Sequence, residues 1–253
     1  MKTITFIGNG NMALSIAEGL KNNYKIEVVG RDLDKLAKFE EALGLHVEKA
    51  LMDDFSVEGK TIIFCVKPSN VEEVATRIKG KARVIFSVLA GTTVTKLKQN
   101  LNPSAVVRCM PNLAASVGKS MTTLTGDEEF KEEAQTIMGA IGDTLWLNSE
   151  KELDIATALA GSGPAYLTLI AEALTDGAVK QGMKRDDAMA TMRGLFDGFG
   201  TLIQDIHPAL LKDAVMSPGG TTAAGYGALE DGNERASCID AIAKAYKRAT
   251  EMA

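Results

Sequence analysis

The chain has 253 residues, 45% of them hydrophobic and 24% charged, which is enough apolar material to bury a sizeable core in one or two globular domains. A net charge of −5 and the lack of a basic stripe interleaved with aromatics exclude the electrostatic footprint of a nucleic-acid binder. No apolar run reaches eighteen residues, because Glu172 and Asp176 interrupt the longest candidate, so no membrane span is expected.

The first element is an apolar, β-branched strand over residues 3–7, which follows Lys2 directly with no leader pattern; a cytoplasmic protein is expected. The strand enters Gly8-Asn9-Gly10-Asn11-Met12-Ala13, a G-x-G-x-x-A turn, and a helical pattern continues through Leu14, Ala17 and Leu20. Gly8 permits the tight turn, Gly10 lets backbone approach a pyrophosphate, and Ala13 lets the helix lie close to the strand. The positive end of the helix dipole favours phosphate there.

Further strands are expected over residues 25–29, 61–66, 83–88, 105–109, 121–125 and 144–147, with helices over 33–43, 70–78, 94–100 and 128–140. Alternating strands and helices predict a doubly wound, mostly parallel sheet for residues 1–148, with ligands at the carboxyl ends of its strands. After the second strand comes Gly30, then Arg31 and Asp32, with no carboxylate at the first position. Arg31 suits a 2′-phosphate, although Asp32 is placed to hold a ribose hydroxyl instead, and a solvated Arg–Asp pair is the plain reading. Lys67, in Phe64-Cys65-Val66-Lys67-Pro68, stands at a strand exit, either beside a cofactor or as a surface charge. The similar exit Ser87-Val88-Leu89-Ala90-Gly91 has small residues that suit a flat nicotinamide ring.

From residue 149 onward the strands stop. Residues 149–253 read as helices rich in Ala, Leu, Gly and Met, broken at Gly161-Ser162-Gly163-Pro164, Gly182-Met183, His207-Pro208 and residues 217–220. Stretches such as 160–178 and 193–200 are apolar around much of the helix surface, which requires a partner subunit. The run Met216-Ser217-Pro218-Gly219-Gly220-Thr221-Thr222 is a tight turn at a helix start, where free N–H groups suit a small carboxylate. An ordinary turn followed by a threonine cap is the alternative. Cys65, Cys109 and Cys238 lack C-x-x-C spacing and are expected as buried free thiols in a reducing compartment. With two histidines, no G-x-S-x-G and no metal-ligand spacing, the hydrolytic constellations and a metal site are missing. Chemistry carried by a cofactor, such as hydride transfer, fits what remains.

These motifs, with Arg108-Cys109-Met110-Pro111-Asn112 and Ala160-Gly161-Ser162-Gly163-Pro164-Ala165-Tyr166, stand in the order found in pyrroline-5-carboxylate reductase, which the chain resembles over nearly its whole length. The resemblance implies a Rossmann domain (1–148) and an all-α domain (149–253) that binds substrate and interlocks subunits into a homodimer or larger homo-oligomer. It implies NADPH-dependent reduction of Δ1-pyrroline-5-carboxylate to L-proline, the last step of proline synthesis, with NADH as the alternative cofactor.

Position by position, the family's dinucleotide contacts fall on Ile7, Gly8, Asn9, Gly10, Asn11, Met12, Arg31, Val66, Lys67, Pro68, Val88, Leu89 and Ala90. Asp53, Pro111 and Asn112 complete that set. The carboxylate-binding turn falls on Ser217, Gly219, Gly220 and Thr221, and the hydroxyl that meets the ring nitrogen on Thr222. Asp205 lies where an acidic residue often stands near the substrate, or is a solvated helix-end carboxylate. The chain departs from the family's Met-Pro-Asn-Thr-Pro-Ala at Leu113-Ala114, which removes a hydroxyl and a proline. A β-hydroxyacid dehydrogenase shares the two-domain plan but needs a basic lysine, and residues 164–178 contain none. A non-catalytic NADPH-binding protein is the more distant alternative.

Overall fold

The computed structural model describes residues 1–251. In chain order its first part contains β1 (Thr3–Ile7), α1 (Asn11–Leu20), β2 (Lys25–Gly30), α2 (Leu33–Leu43), β3 (Glu48–Leu51), β4 (Phe55–Ser56), β5 (Thr61–Phe64) and α3 (Val71–Arg77). β6 (Ile78–Lys79), β7 (Val84–Ser87), α4 (Val94–Leu101), β8 (Val106–Met110), β9 (Ser120–Gly126), α5 (Lys131–Met138), β10 (Gly142–Trp146) and α6 (Glu150–Ala156) follow. Eight strands form one sheet in the order β10-β9-β8-β7-β5-β1-β2-β3.

Pairing is parallel throughout this sheet except between β8 and β9. The connection between those two strands is too short for a helical crossover, so the chain returns antiparallel. The strands alternate between two apolar layers: Phe6, Val28, Ile63 and Phe86 face one, and Ile7, Val29, Ile62, Phe64 and Ile85 the other. Burial on both faces explains why these strands read as nearly unbroken apolar runs. The chain moves outward from β1 to β2 and β3, then crosses back to β5, so the switch point lies between the carboxyl ends of β1 and β5.

Two compact units divide the chain: Met1–Ser162 with the chain end from Lys244, and Gly163–Ala243. The first unit keeps α6 because buried Arg108 on β8 binds Glu150 and Asp154 of that helix, each at 2.9 Å. The second unit contains α7 (Gly163–Lys180), α8 (Arg185–Leu202), α9 (Pro208–Val215), α10 (Thr221–Asp231) and most of α11 (Glu234–Glu251). Within it α7 buries only Thr175, α8 only Ala188, and α9 and α10 no residue. Leu167, Leu174, Leu195, Phe199, Leu202 and Leu229 are all exposed. Helices that leave this much apolar surface in water need a covering partner.

Two expectations are corrected. The glycine-rich segment at 161–164 is not a break but a π-helical turn, Thr157–Gly161, inside a helical stretch that runs Glu150–Lys180. Ser162 N–H donates to Thr157 O at 3.0 Å, and Pro164 has no N–H to give the carbonyl four residues before it. Over 18 residues that stretch has a mean hydropathy of 1.2, long and apolar enough in composition to cross a bilayer, with 17% of the window buried. The thiols also differ: Cys109 is buried and Cys65 partly so, but Cys238 on α11 is exposed. It lies on a helix of which only Ala249 is buried among the described residues.

Candidate active site

Gly8 follows β1 with φ +105°, and a Cβ there would stand 2.6 Å from the carbonyl oxygen of Cys65 beyond β5. Glycine is therefore what lets the two strand exits approach at the switch point. Gly10 precedes α1 in extended conformation, and a Cβ on it would meet nothing within 4 Å. The first-turn N–H groups of α1 have no intrahelical acceptor, and no acidic side chain occupies that turn. An anion that approaches Gly10 meets open space and donors, so the cradle fits a pyrophosphate.

A cleft of about 630 Å³ opens beside this turn. Gly8, Asn9, Gly10, Arg31, Val66 and Lys67 line it, as do Lys35, Ser69, Asn70 and Glu73, which the sequence motifs do not single out. Asn11 lines an adjoining hollow with Asn9, Gly10 and Lys35. Asp32 accepts from the N–H of Asp34 at 2.9 Å and of Lys35 at 3.3 Å, so its carboxylate caps α2. Of the remaining cofactor candidates, Ile7 is buried in the core, Met12 is partly buried, and Pro68 opens the 3-10 turn Pro68–Asn70. Asp53 is exposed and pairs with Arg77 at 3.3 Å, outside the cleft lining. Cys65 lines the cleft, but burial pushes its thiol up, away from the reactive thiolate.

The next strand exits lie along the same carboxyl edge. Leu89 is buried, and Val88 and Ala90 are half-buried beside it. Pro111 is buried, and Asn112 is spent on structure. Its Oδ1 accepts from Ala114 N–H at 3.0 Å, its N–H donates to Ser120 Oγ at 3.1 Å, and its Nδ2 donates to Ala160 O at 3.1 Å. Ala160 is the residue whose carbonyl Pro164 leaves without a helical donor. The loop that lacks the family's threonine and proline is thus fixed by Asn112, with left-handed Gly118 closing the 3-10 turn Leu113–Val117.

The candidate substrate residues lie in the helical unit. Gly220 N–H donates to Ser217 O at 3.1 Å, which closes a turn with Pro218 and Gly219 at its centre. Gly219 has φ +70°, as the second central position of a type II turn requires. A Cβ at Gly220 would meet Ser217 Oγ at 2.5 Å, so glycine leaves room for that hydroxyl. Gly220 is the N-cap of α10 and no side chain caps the helix. Thr222 is therefore not a cap, and its hydroxyl makes no hydrogen bond within the described chain. Helical threonines 157, 168, 175, 191 and 201 instead donate to the carbonyl four residues before them. Thr221 is exposed and Thr222 half-buried, and α10 has no acidic residue in its first turn. Asp205 is exposed in the turn after α8.

A glycine-lined cleft at the switch point of a doubly wound sheet, followed by helices that demand a partner, defines a dinucleotide-dependent oxidoreductase with a dimerisation domain. The comparisons agree on both halves. Residues 3–91 match the model described as NADP oxidoreductase coenzyme F420-dependent, and residues 150–252 match pyrroline-5-carboxylate reductase dimerisation. A pyrroline-5-carboxylate reductase of Arabidopsis thaliana is 36% identical, over 98% of this chain and 95% of its own. The solved 1-pyrroline-5-carboxylate reductase of Streptococcus pyogenes is 30% identical with a TM-score of 0.87, covering 98% of each chain. Pyrroline carboxylate reductase of Plasmodium falciparum, solved with NADP bound, is 25% identical with a TM-score of 0.81, covering 99% of each. The chain belongs to the pyrroline-5-carboxylate reductase family, oxidoreductases that act on a carbon–nitrogen double bond.

Proposed function

We propose that this chain reduces Δ1-pyrroline-5-carboxylate to L-proline in the cytoplasm, the last step of proline biosynthesis, with NADPH favoured over NADH. The observation that carries the reading is Thr222, whose hydroxyl has no hydrogen-bond partner among the described residues, in the first turn of α10 among free N–H donors. Ser217 Oγ and the N–H groups of Gly219 and Thr221 hold the substrate carboxylate, and Gly220 contributes the space its missing Cβ leaves. Thr222 Oγ donates to the imine nitrogen, which draws electron density from the C=N bond and makes its carbon a better hydride acceptor. Hydride addition to the carbon leaves an electron pair on nitrogen, which takes a proton from water to give the secondary amine, and Asp205 supplies negative charge for that amine once it is protonated. Bound reduced nicotinamide supplies the hydride.

The dinucleotide is held by the Gly8–Gly10 turn and the first amides of α1, with Val66, Lys67, Val88 and Ala90 along the strand exits. NADPH is favoured because Asp32, which would otherwise hold a ribose hydroxyl, is occupied in capping α2, whereas Arg31 and Lys35 line the cleft. Residues 1–148 serve the cofactor, and residues 149–253 serve substrate and self-association as a homodimer or larger assembly. That assembly covers the apolar faces of α7 and α8.

The test is oxidation of NADPH by purified protein with Δ1-pyrroline-5-carboxylate, run beside NADH and a panel of β-hydroxyacids. Turnover of the imine with proline as product supports the reading. Activity only on β-hydroxyacids, or cofactor binding without turnover of any imine, overturns it.

A further inference from the structure

Arg31 is not free in the cleft that it lines. Its Nη1 stands 3.5 Å from Glu73 Oε2, and Glu73 is itself a lining residue, carried in by the first turn of α3. The other oxygen of Glu73 meets Arg77 Nη2 at 3.2 Å, and Arg77 Nη1 meets Asp53 at 3.3 Å. Glu73 is thus held from behind by a tethered arginine, with one carboxylate oxygen presented to Arg31. Lys35 and Lys67 are the other cations that line the cleft.

We propose that Glu73 sets the strength of the NADPH preference by competing with the 2′-phosphate for Arg31. This inference rests on the cofactor reading above. A guanidinium binds phosphate best in bidentate fashion, and a carboxylate on one of its nitrogens must yield before that geometry forms. NADH carries no group that needs Arg31 released, so Glu73 handicaps NADPH alone. The preference therefore stays below what Arg31 and Lys35 would give unopposed. Glu73 is a positioning residue here, acting through Arg31.

The test measures dissociation constants of NADP⁺ and NAD⁺ by calorimetry, with no turnover, for the wild type, Glu73→Gln, Arg31→Ala and the double variant. Glu73→Gln should tighten NADP⁺ by about two- to fivefold, the scale of an exposed ion pair, and shift NAD⁺ by less than about twofold. In the absence of Arg31 the Glu73 substitution should have no further effect on NADP⁺. The proposal is overturned if Glu73→Gln leaves NADP⁺ binding unchanged, tightens both dinucleotides equally, or still tightens NADP⁺ when Arg31 is alanine. Selective loss of NADP⁺ affinity in Arg31→Ala with no effect of Glu73→Gln would reject this inference alone. Equal loss for both dinucleotides in Arg31→Ala would reject the 2′-phosphate reading beneath it.

Discussion

Arg108 and Glu150, 42 residues apart in sequence, form an ion pair at 2.9 Å in which the arginine side chain is only 1% exposed. The same oxygen of Glu150 accepts the N–H of Val94 at 2.9 Å, at the start of α4. That helix has no acidic residue in its own first turn, so Glu150 supplies the anion its N-terminus favours. One carboxylate thereby joins three elements: β8, the helix that follows the 88–91 strand exit, and α6.

Arg108→Met should strand Asp154 and part-exposed Glu150 without their cation. Breaking a buried pair from one side costs about 3–5 kcal/mol, and the exposure of Glu150 places this variant near the lower end. Urea unfolding measures the loss, and Arg108→Met with Asp154→Leu should recover part of it. A single variant as stable as wild type would show that the network contributes nothing net.

The two glycines of the N-terminal turn should fail in different ways. Gly8→Ala places a Cβ against the Cys65 carbonyl at a φ that side chains avoid, so it should destabilise the sheet unit by about 1–3 kcal/mol. Gly10→Ala meets no protein atom and should melt like wild type, yet bind dinucleotide at least about tenfold more weakly, because its methyl enters the anion's space. Equal melting temperatures for the two variants would contradict this assignment.

The central strands were legible because they are buried on both faces, which leaves an apolar run no surface strand needs. β3 was not: Glu-Lys-Ala-Leu at the sheet edge is largely exposed, and its pairing with β2 leaves no pattern in its side chains. The two-residue strands β4 and β6 are too short to carry a period. The π turn at Thr157–Gly161 was read as a break because Gly-Ser-Gly-Pro has the composition of a loop. The carbonyl of Ala160 in that turn accepts from Asn112, a distant donor that no local window contains. Lys35, Ser69, Asn70 and Glu73 reach the cleft from α2, the 3-10 turn Pro68–Asn70 and the start of α3, and belong to no glycine motif. The available signal was their position just beyond a strand's carboxyl end.

Self-association should be inseparable from folding of the helical unit. On α8, Leu195, Phe199 and Leu202 recur at helical spacing and are 57%, 46% and 48% exposed in the single chain. Phe199→Glu places a charge in that stripe and should dissociate the assembly, with loss of helix content and of activity together. Sedimentation at micromolar concentration measures it, and a folded, active wild-type monomer would refute the expectation.

Thr222→Val separates a chemical role for the hydroxyl from a structural one. Valine keeps the shape and β-branching and removes only the donor. A cap lost from a helix start costs about 1 kcal/mol, but here Gly220 is the cap and Thr222 Oγ binds nothing among the described residues. Melting temperature should therefore change little. If the hydroxyl meets the imine nitrogen as charge develops, kcat/KM should fall by about one to three powers of ten. The fall should lie in kcat more than in KM, because Ser217 and the turn amides still hold the carboxylate. Thr222→Ser, which restores the donor on a freer side chain, should recover most of the rate. Unchanged turnover in Thr222→Val would remove Thr222 from the catalytic machinery.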